Sequence, residues 1–181
     1  MGLLFDKEFD EILSGQIIAL IAGLISGVFL AFQTDKLLLI PAMLILIPGF
    51  LEMRGNIEGS LSSRLSSGLF LKLIKPKLEN TEIIKGNIIA SFVLSIIISL
   101  VLGYIAFIIE YVALGIFYPK IIVIALIAGA ISNIIGIIFS VSLTFYLFKK
   151  GHDPNNMMGP SITSLGDIIS ILSLMFVVVF I

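Results

Sequence analysis

Long apolar stretches alternate with short polar ones along this chain. Uncharged apolar runs cover 12–32, 86–109 and 121–148, and a fourth, 161–181, is interrupted by one charged residue, Asp167. Each run matches or exceeds the roughly 20 residues that a helix needs to cross a hydrocarbon core. A fifth run begins at Leu37 but has a different pattern. Pro41 and Pro48 fall in its apolar part, and it then carries Glu52, Arg54, Asn56 and Glu58. Proline removes a backbone donor and favours a kink, so this second element is expected to be kinked or broken. The pattern predicts an all-α integral membrane protein. Residues 1–181 are expected to form one transmembrane domain of five helices, approximately 12–32, 37–71, 86–109, 121–148 and 161–181.

Composition agrees with the pattern. Hydrophobic residues make up 59% of the chain, charged residues 13%, and the mean hydropathy is +1.19, whereas soluble domains carry about 25% charged residues. A net charge of -1 provides no basic field for nucleic acid. There is no cysteine, which excludes disulfides, thiolate metal sites and a cysteine nucleophile, and His152 is the single histidine. Before the first run lie Asp6, Lys7, Glu8, Asp10 and Glu11, an acidic leader where a cleavable signal peptide would be basic. With the N-terminus cytoplasmic, the inner side holds Lys7, Lys72, Lys75, Lys77, Lys85, Lys149 and Lys150. The outer side holds Lys36 and Lys120. Basic residues concentrate on the cytoplasmic side of membrane proteins, so the N-terminus is expected inside and the C-terminus outside.

Small residues recur at helical spacing in three of the runs. They are Gly15, Ala19, Gly23, Gly27 and Ala31 in the first; Asn87, Ser91, Ser95, Ser99 and Gly103 in the third; and Gly129, Ser132, Asn133, Gly136 and Ser140 in the fourth. Such stripes let helix backbones approach closely in lipid. They are read as packing faces, with Asn133 a possible exception.

The candidate chemistry lies in two places. A carboxylate inside a spanning helix is costly to hold and marks a functional site by default, which singles out Asp167. Thr163, Ser164 and Ser170 are its neighbours at helical spacing. Gly159 and Pro160 mark a helix start at which an irregular backbone could expose carbonyls. Measured from position 161, Asp167 is about 9 Å into the membrane, while Asn56 is about 28 Å along the second helix from Leu37, at 1.5 Å per residue. Both therefore belong to the cytoplasmic part of the core. Oxygen ligands suit hard cations such as magnesium and calcium. Aspartate also serves proton relays, so the residues alone leave a divalent cation, a proton and a monovalent ion open, together with a purely structural pairing of Asp167.

Two blocks then carry a resemblance. Pro41, Pro48, Gly55-Asn56-Ile57-Glu58 and Ser62-Ser63-Arg64-Leu65-Ser66 resemble the second membrane helix of MgtE-type magnesium transporters, most closely their eukaryotic solute-carrier relatives. Asp153-Pro154-Asn155-Asn156, Pro160, Thr163 and Leu165-Gly166-Asp167 resemble the approach to that family's last helix. The resemblance covers essentially the whole chain. It implies an ion-transport domain that is dimeric, with a cation pathway lined by the second and fifth helices. It also implies that Asp167 meets a largely hydrated magnesium ion, that Asn56 stands beside the pore, and that the backbone carbonyl at Thr163 faces the ion. Glu58 matches the eukaryotic-like motif and would attract cations, or would pair with Arg54 or Arg64 as a buried ion pair.

Bacterial relatives carry large cytoplasmic sensing domains before the first helix, where this chain has about a dozen residues, so its gating is expected to differ. Eukaryotic relatives join two membrane domains, and here one is present without an internal repeat. A homodimer or a paralogous partner chain is therefore expected. Glu52 is a weaker candidate, and the serines at 60, 62, 63, 66 and 67 are expected to bond helix carbonyls or face water. Lys72, Lys75 and Lys77 suit anionic lipid, and His152 is expected to be a solvated loop residue. There is no phosphate-binding loop for an ATPase motor. The expected function is divalent-cation transport, with Mg2+ as transported ion and no organic cofactor, across the lipid bilayer of the cell (plasma) membrane. An intramembrane lipid-modifying enzyme and a non-transporting scaffold are the alternatives. The first lacks paired catalytic carboxylates, and the second leaves Asp167 without a role.

Overall fold

The computed structural model describes residues 7–35, 40–77, 79 and 81–181. Phe5 and Asp6 of the acidic leader, Lys36 and the expected helix start at Leu37 lie outside the described residues, as does the side chain of Lys7. Among the described residues five long helices follow one another: α1 (Lys7–Phe32), α2 (Pro41–Phe70), α3 (Glu82–Leu114), α4 (Lys120–Lys149) and α5 (Pro154–Phe180). No strand occurs among the described residues. Helices α1, α3, α4 and α5 are long and apolar enough to cross a membrane. Helix α2 is equally long but carries two glutamates and two arginines between residues 52 and 64.

Local signals set the helix ends. The Thr81 hydroxyl accepts the Ile84 amide at 3.3 Å to start α3. Gly115 ends α3 in the left-handed conformation, φ 68°, where only glycine avoids a steric penalty. Helix α5 starts earlier than the apolar pattern suggested. Asp153 accepts the Asn155 amide at 2.8 Å, and Pro154 occupies the first turn, where its missing N–H costs nothing. The irregular start expected around Gly159 and Pro160 is absent, because Pro160 lies inside the helix. Around it, hydroxyls from Ser161, Thr163 and Ser164 bond carbonyls one turn back.

The break expected in α2 is also absent. Pro41 falls at the start of the helix, and the helix runs uninterrupted through Pro48 to Phe70. A proline inside a membrane helix is tolerated when neighbouring helices and local adjustments satisfy the freed backbone groups.

Packing alternates direction along the chain. Gly49 of α2 lies against Leu102 of α3, and Gly103 of α3 approaches the backbone of Ile122 in α4. Ser62 of α2 bonds Thr144 of α4 at 2.9 Å, while Gly55 of α2 meets Thr163 of α5. Helices α2 to α5 therefore form an up-and-down bundle, and α2 touches all three others. Phe50, Met43, Leu46, Ile121, Ile124 and Leu174 form its core toward the end where α2 and α4 begin. Among the described residues, helix α1 packs on α5 alone, with Gly15 against Pro160.

The serine and glycine stripes of α3 and α4 interlock as expected. Ser95 donates to the Gly129 carbonyl at 3.4 Å, and Asn133 donates to the Ser91 carbonyl at 3.2 Å. Asn133 thus joins the packing. The α1 stripe differs, because nothing lies within 4 Å of a side chain added at Gly23 or Gly27.

At the other end of α2, Glu110 of α3 is fully buried and accepts the Ala42 amide at 3.0 Å. The first amides of a helix have no partner within it. Because Ile40 offers no side-chain cap, a carboxylate borrowed from α3 supplies one.

Candidate functional site

Helix α2 presents two faces. At the 3.6-residue repeat, Arg54, Glu58, Leu61, Ser62 and Leu65 point into the bundle and are buried, while Glu52, Asn56, Ser60, Ser63, Arg64 and Ser67 are exposed. The exposed face is polar along its second half. Elsewhere the outer surface is of the opposite kind; α3, for instance, exposes Ile89, Val93, Ile97, Val101 and Tyr104.

Asn56 stands on the polar face and donates to Glu52 at 3.0 Å, one turn back. Thr163 of α5 is exposed beside it, its methyl group within van der Waals distance of the Gly55 position. Its hydroxyl bonds the carbonyls of Gly159 and Pro160 at 2.8 and 3.1 Å. One turn further along α5, Asp167 is half-buried, and the charges that act on it are Arg54 and Glu52. Asn56, Thr163 and Asp167 therefore share the seam between α2 and α5. Ser164 and Ser170 do not join them, since both are buried and turned into the bundle.

Glu58 is placed differently. It is 0% exposed and paired with Arg54, itself 3% exposed, at 2.8 Å. Ser140 of α4 donates to the same carboxylate at 3.4 Å. Of the two roles weighed for Glu58, the geometry realises the ion pair.

Two glycines make room for that pair. A side chain at Gly136 of α4 would collide with the Glu58 carboxylate, and one at Gly166 of α5 would collide with the Arg54 guanidinium. The pair thus sits in a notch cut by backbone from α4 and α5. Its second edge is the peptide adjoining Asp167.

Sequence reasoning missed this notch and missed Glu110. The opposite charges at i and i+4 in Arg54 and Glu58 were a signal for the pair, whereas Gly136 looked like one more member of a packing stripe. Of the five serines on α2, Ser62 bonds Thr144 and Ser66 is buried, while Ser60, Ser63 and Ser67 are exposed. His152 is no free loop residue, because its Nδ1 lies 2.8 Å from Glu11 of α1. Among the described residues, no group of three or more His, Cys, Asp or Glu side chains comes together in a way that could hold a metal. At the seam, Asp167 is accompanied by the amide of Asn56 and the exposed Thr163, with Glu52 behind Asn56.

Four long apolar helices and a fifth that carries a buried ion pair and an exposed polar face define an integral membrane protein with ionisable groups set between its helices. A family model described as MgtE, divalent cation transporter, matches residues 47–177, and the chain belongs to that family. It is a family of transporters rather than of enzymes. Among curated proteins, the chain is similar to solute carrier family 41 member 2 of Homo sapiens and of Macaca fascicularis. Each is 27% identical over 135 residues, covering 70% of this chain and 23% of the relative. The Mus musculus protein of the same name is 25% identical over 131 residues. The chain therefore spans about a quarter of the length of these relatives. No solved structure matches it.

Proposed function

We propose that this chain carries divalent cations, magnesium foremost, across a lipid bilayer through a pathway at the interface of two copies or of one copy and a paralogous chain. The observation that carries the reading is the exposed polar face of α2, continued by Thr163 and the half-buried Asp167 of α5, on a protein whose α1 and α3 turn mainly apolar residues outward. Polar groups facing lipid are costly. A partner that brings up the same face would enclose them around a wet channel, and a two-fold interface joins like surfaces.

In this reading Asp167 is the ion's carboxylate. Asn56 and the backbone near Thr163 hold its water, and a bend of α2 at Pro48 shapes the outer approach. Magnesium dehydrates reluctantly and is usually held by one or two carboxylates and several waters, which suits a seam with one carboxylate and neutral oxygens. Glu58 contributes through Arg54 rather than by ligating. Residues 1–181 act as one transport domain in the plasma membrane, with the N-terminus cytoplasmic and the C-terminus outside. Binding has to remain weak enough for the ion to leave.

The test is magnesium flux into liposomes containing purified protein, parental against Asp167→Asn. Flux in the parent and a loss of at least about tenfold in the variant are expected, a lower bound because one charge acts on a nearby divalent ion by several kcal/mol at protein dielectric. An Asp167→Asn protein that carries magnesium at the parental rate refutes the assignment.

A further inference from the structure

Arg54 is a formal cation buried against Gly166, the residue that precedes a carboxylate proposed to bind cations. Both of its terminal nitrogens are confined. One terminal nitrogen bridges to Glu58 at 2.8 and 2.9 Å. The other lies against Gly166, where any side chain would displace it. Glu58 is held in turn by Ser140 and by the absence of a side chain at Gly136. Arg54 cannot swing away to solvent, because it is 3% exposed and walled in by α4 and α5.

A structural pair alone does not require this placement. Between apolar helices, a buried ion pair is often no more stabilising than hydrophobic residues of the same volume. What the placement does achieve is electrostatic. The guanidinium lies over the peptide that carries Asp167, and each of the two charges acts on the other. Glu58 neutralises Arg54 formally but lies on the far side, against α4, so Asp167 still feels the nearer cation.

We propose that Arg54 is a positioning and affinity-setting residue of the pathway, a tethered internal cation. It balances the Asp167 carboxylate when no ion is present and opposes a divalent ion when one arrives. This rests on the transport reading above. The empty site is stabilised by Arg54 and the occupied site is destabilised by it, and both effects favour release. Glu58, Ser140, Gly136 and Gly166 are the cradle that keeps the guanidinium at that distance.

The experiment measures the dependence of liposome flux on magnesium concentration for three proteins. They are the parent, Arg54→Met combined with Glu58→Gln, and Arg54→Lys. The double variant removes both charges together and leaves no buried ion unpaired. Its half-saturating magnesium concentration should fall by about tenfold, with a lower maximal rate as release slows, because loss of the nearer positive charge is only partly offset by loss of the farther negative one. Arg54→Lys keeps the pair with Glu58 but has no second planar nitrogen to lie over Gly166, so half-saturation should fall by about threefold. A role in packing alone would lower the rate without tightening binding. Unchanged or raised half-saturation in the double variant therefore overturns the proposal. If the double variant does not assemble, the same outcome in Arg54→Lys overturns it. A parent that carries no magnesium defeats the transport reading and this proposal with it. A parent that does, with unchanged half-saturation in the variants, defeats this proposal alone.

Discussion

Replacing Gly136 with alanine adds one methyl group where the structure leaves no space for it. The new carbon would fall on the Glu58 carboxylate, with the Arg54 guanidinium close behind it. The carboxylate cannot retreat freely, because it holds Arg54 at 2.8 Å and receives Ser140 at 3.4 Å. If the bundle shifts to accommodate the methyl group, overpacking costs about 1–3 kcal/mol. If the ion pair breaks instead, the uncompensated buried charge costs about 3–5 kcal/mol. A value near 3 kcal/mol is expected, and for a chain of this size each kcal/mol lowers the melting temperature by about 2–4 °C. Gly136→Ala should therefore melt roughly 6–12 °C below the parent in mild detergent, followed by circular dichroism or by loss of the monodisperse peak after heating. Gly27→Ala is the control. It lies on α1 with nothing within 4 Å, and alanine is the better helix former by about 1 kcal/mol, so this variant should not melt earlier. If Gly136→Ala melts together with Gly27→Ala, the notch does not hold the ion pair as described.

Three further outcomes are expected. Glu110→Ala leaves the Ala42 amide without its partner at a cost of about 1–3 kcal/mol, visible as faster hydrogen exchange confined to the first turn of α2. Because the chain has no cysteine, Ser63→Cys on the exposed polar face should form a disulfide-linked dimer under mild oxidation. Tyr104→Cys on the apolar face of α3 should not, and equal crosslinking of both would argue against the proposed interface. A tag at Ile181 should be accessible from outside intact cells and the loop around Pro76 should not; the reverse pattern would invert the proposed orientation.

The sequence made the number and order of the helices plain, because apolar runs of membrane length are separated by short charged segments. Helix ends were less legible. Asp153 and Pro154 start α5 well before its apolar stretch, and capping is a local hydrogen-bonding matter that hydropathy does not register. The prolines misled for a related reason. At Pro41 a missing N–H falls where none is needed, and around Pro160 hydroxyls bond the carbonyls of the same turns. Asn56, Thr163 and Asp167 could be singled out from residue type and depth. The burial of Glu58 could not, because it depends on Gly136 and Gly166, glycines from two other helices that only the tertiary arrangement brings to Arg54 and Glu58. Glu110 was hidden similarly. It stands just beyond an apolar run and resembles an ordinary interfacial charge until α2 is placed against it.

Among the described residues, helix α1 rests on α5 and on no other helix, which has a consequence for how the protein is made. Gly15 leaves the ribosome long before Pro160, by roughly seven to thirty seconds at about 5–20 residues per second. Throughout that interval α1 has to reside in lipid unaccompanied, and its run of uncharged residues from Ile12 to Phe32 equips it to do so. Helix α2 is in the opposite position, since Arg54 and Glu58 find their seats only when Gly136 and Gly166 arrive. Synthesis order therefore separates a helix that can wait alone from one whose secure burial depends on segments not yet translated. It is α2, not α1, that needs shelter until α4 and α5 have been made.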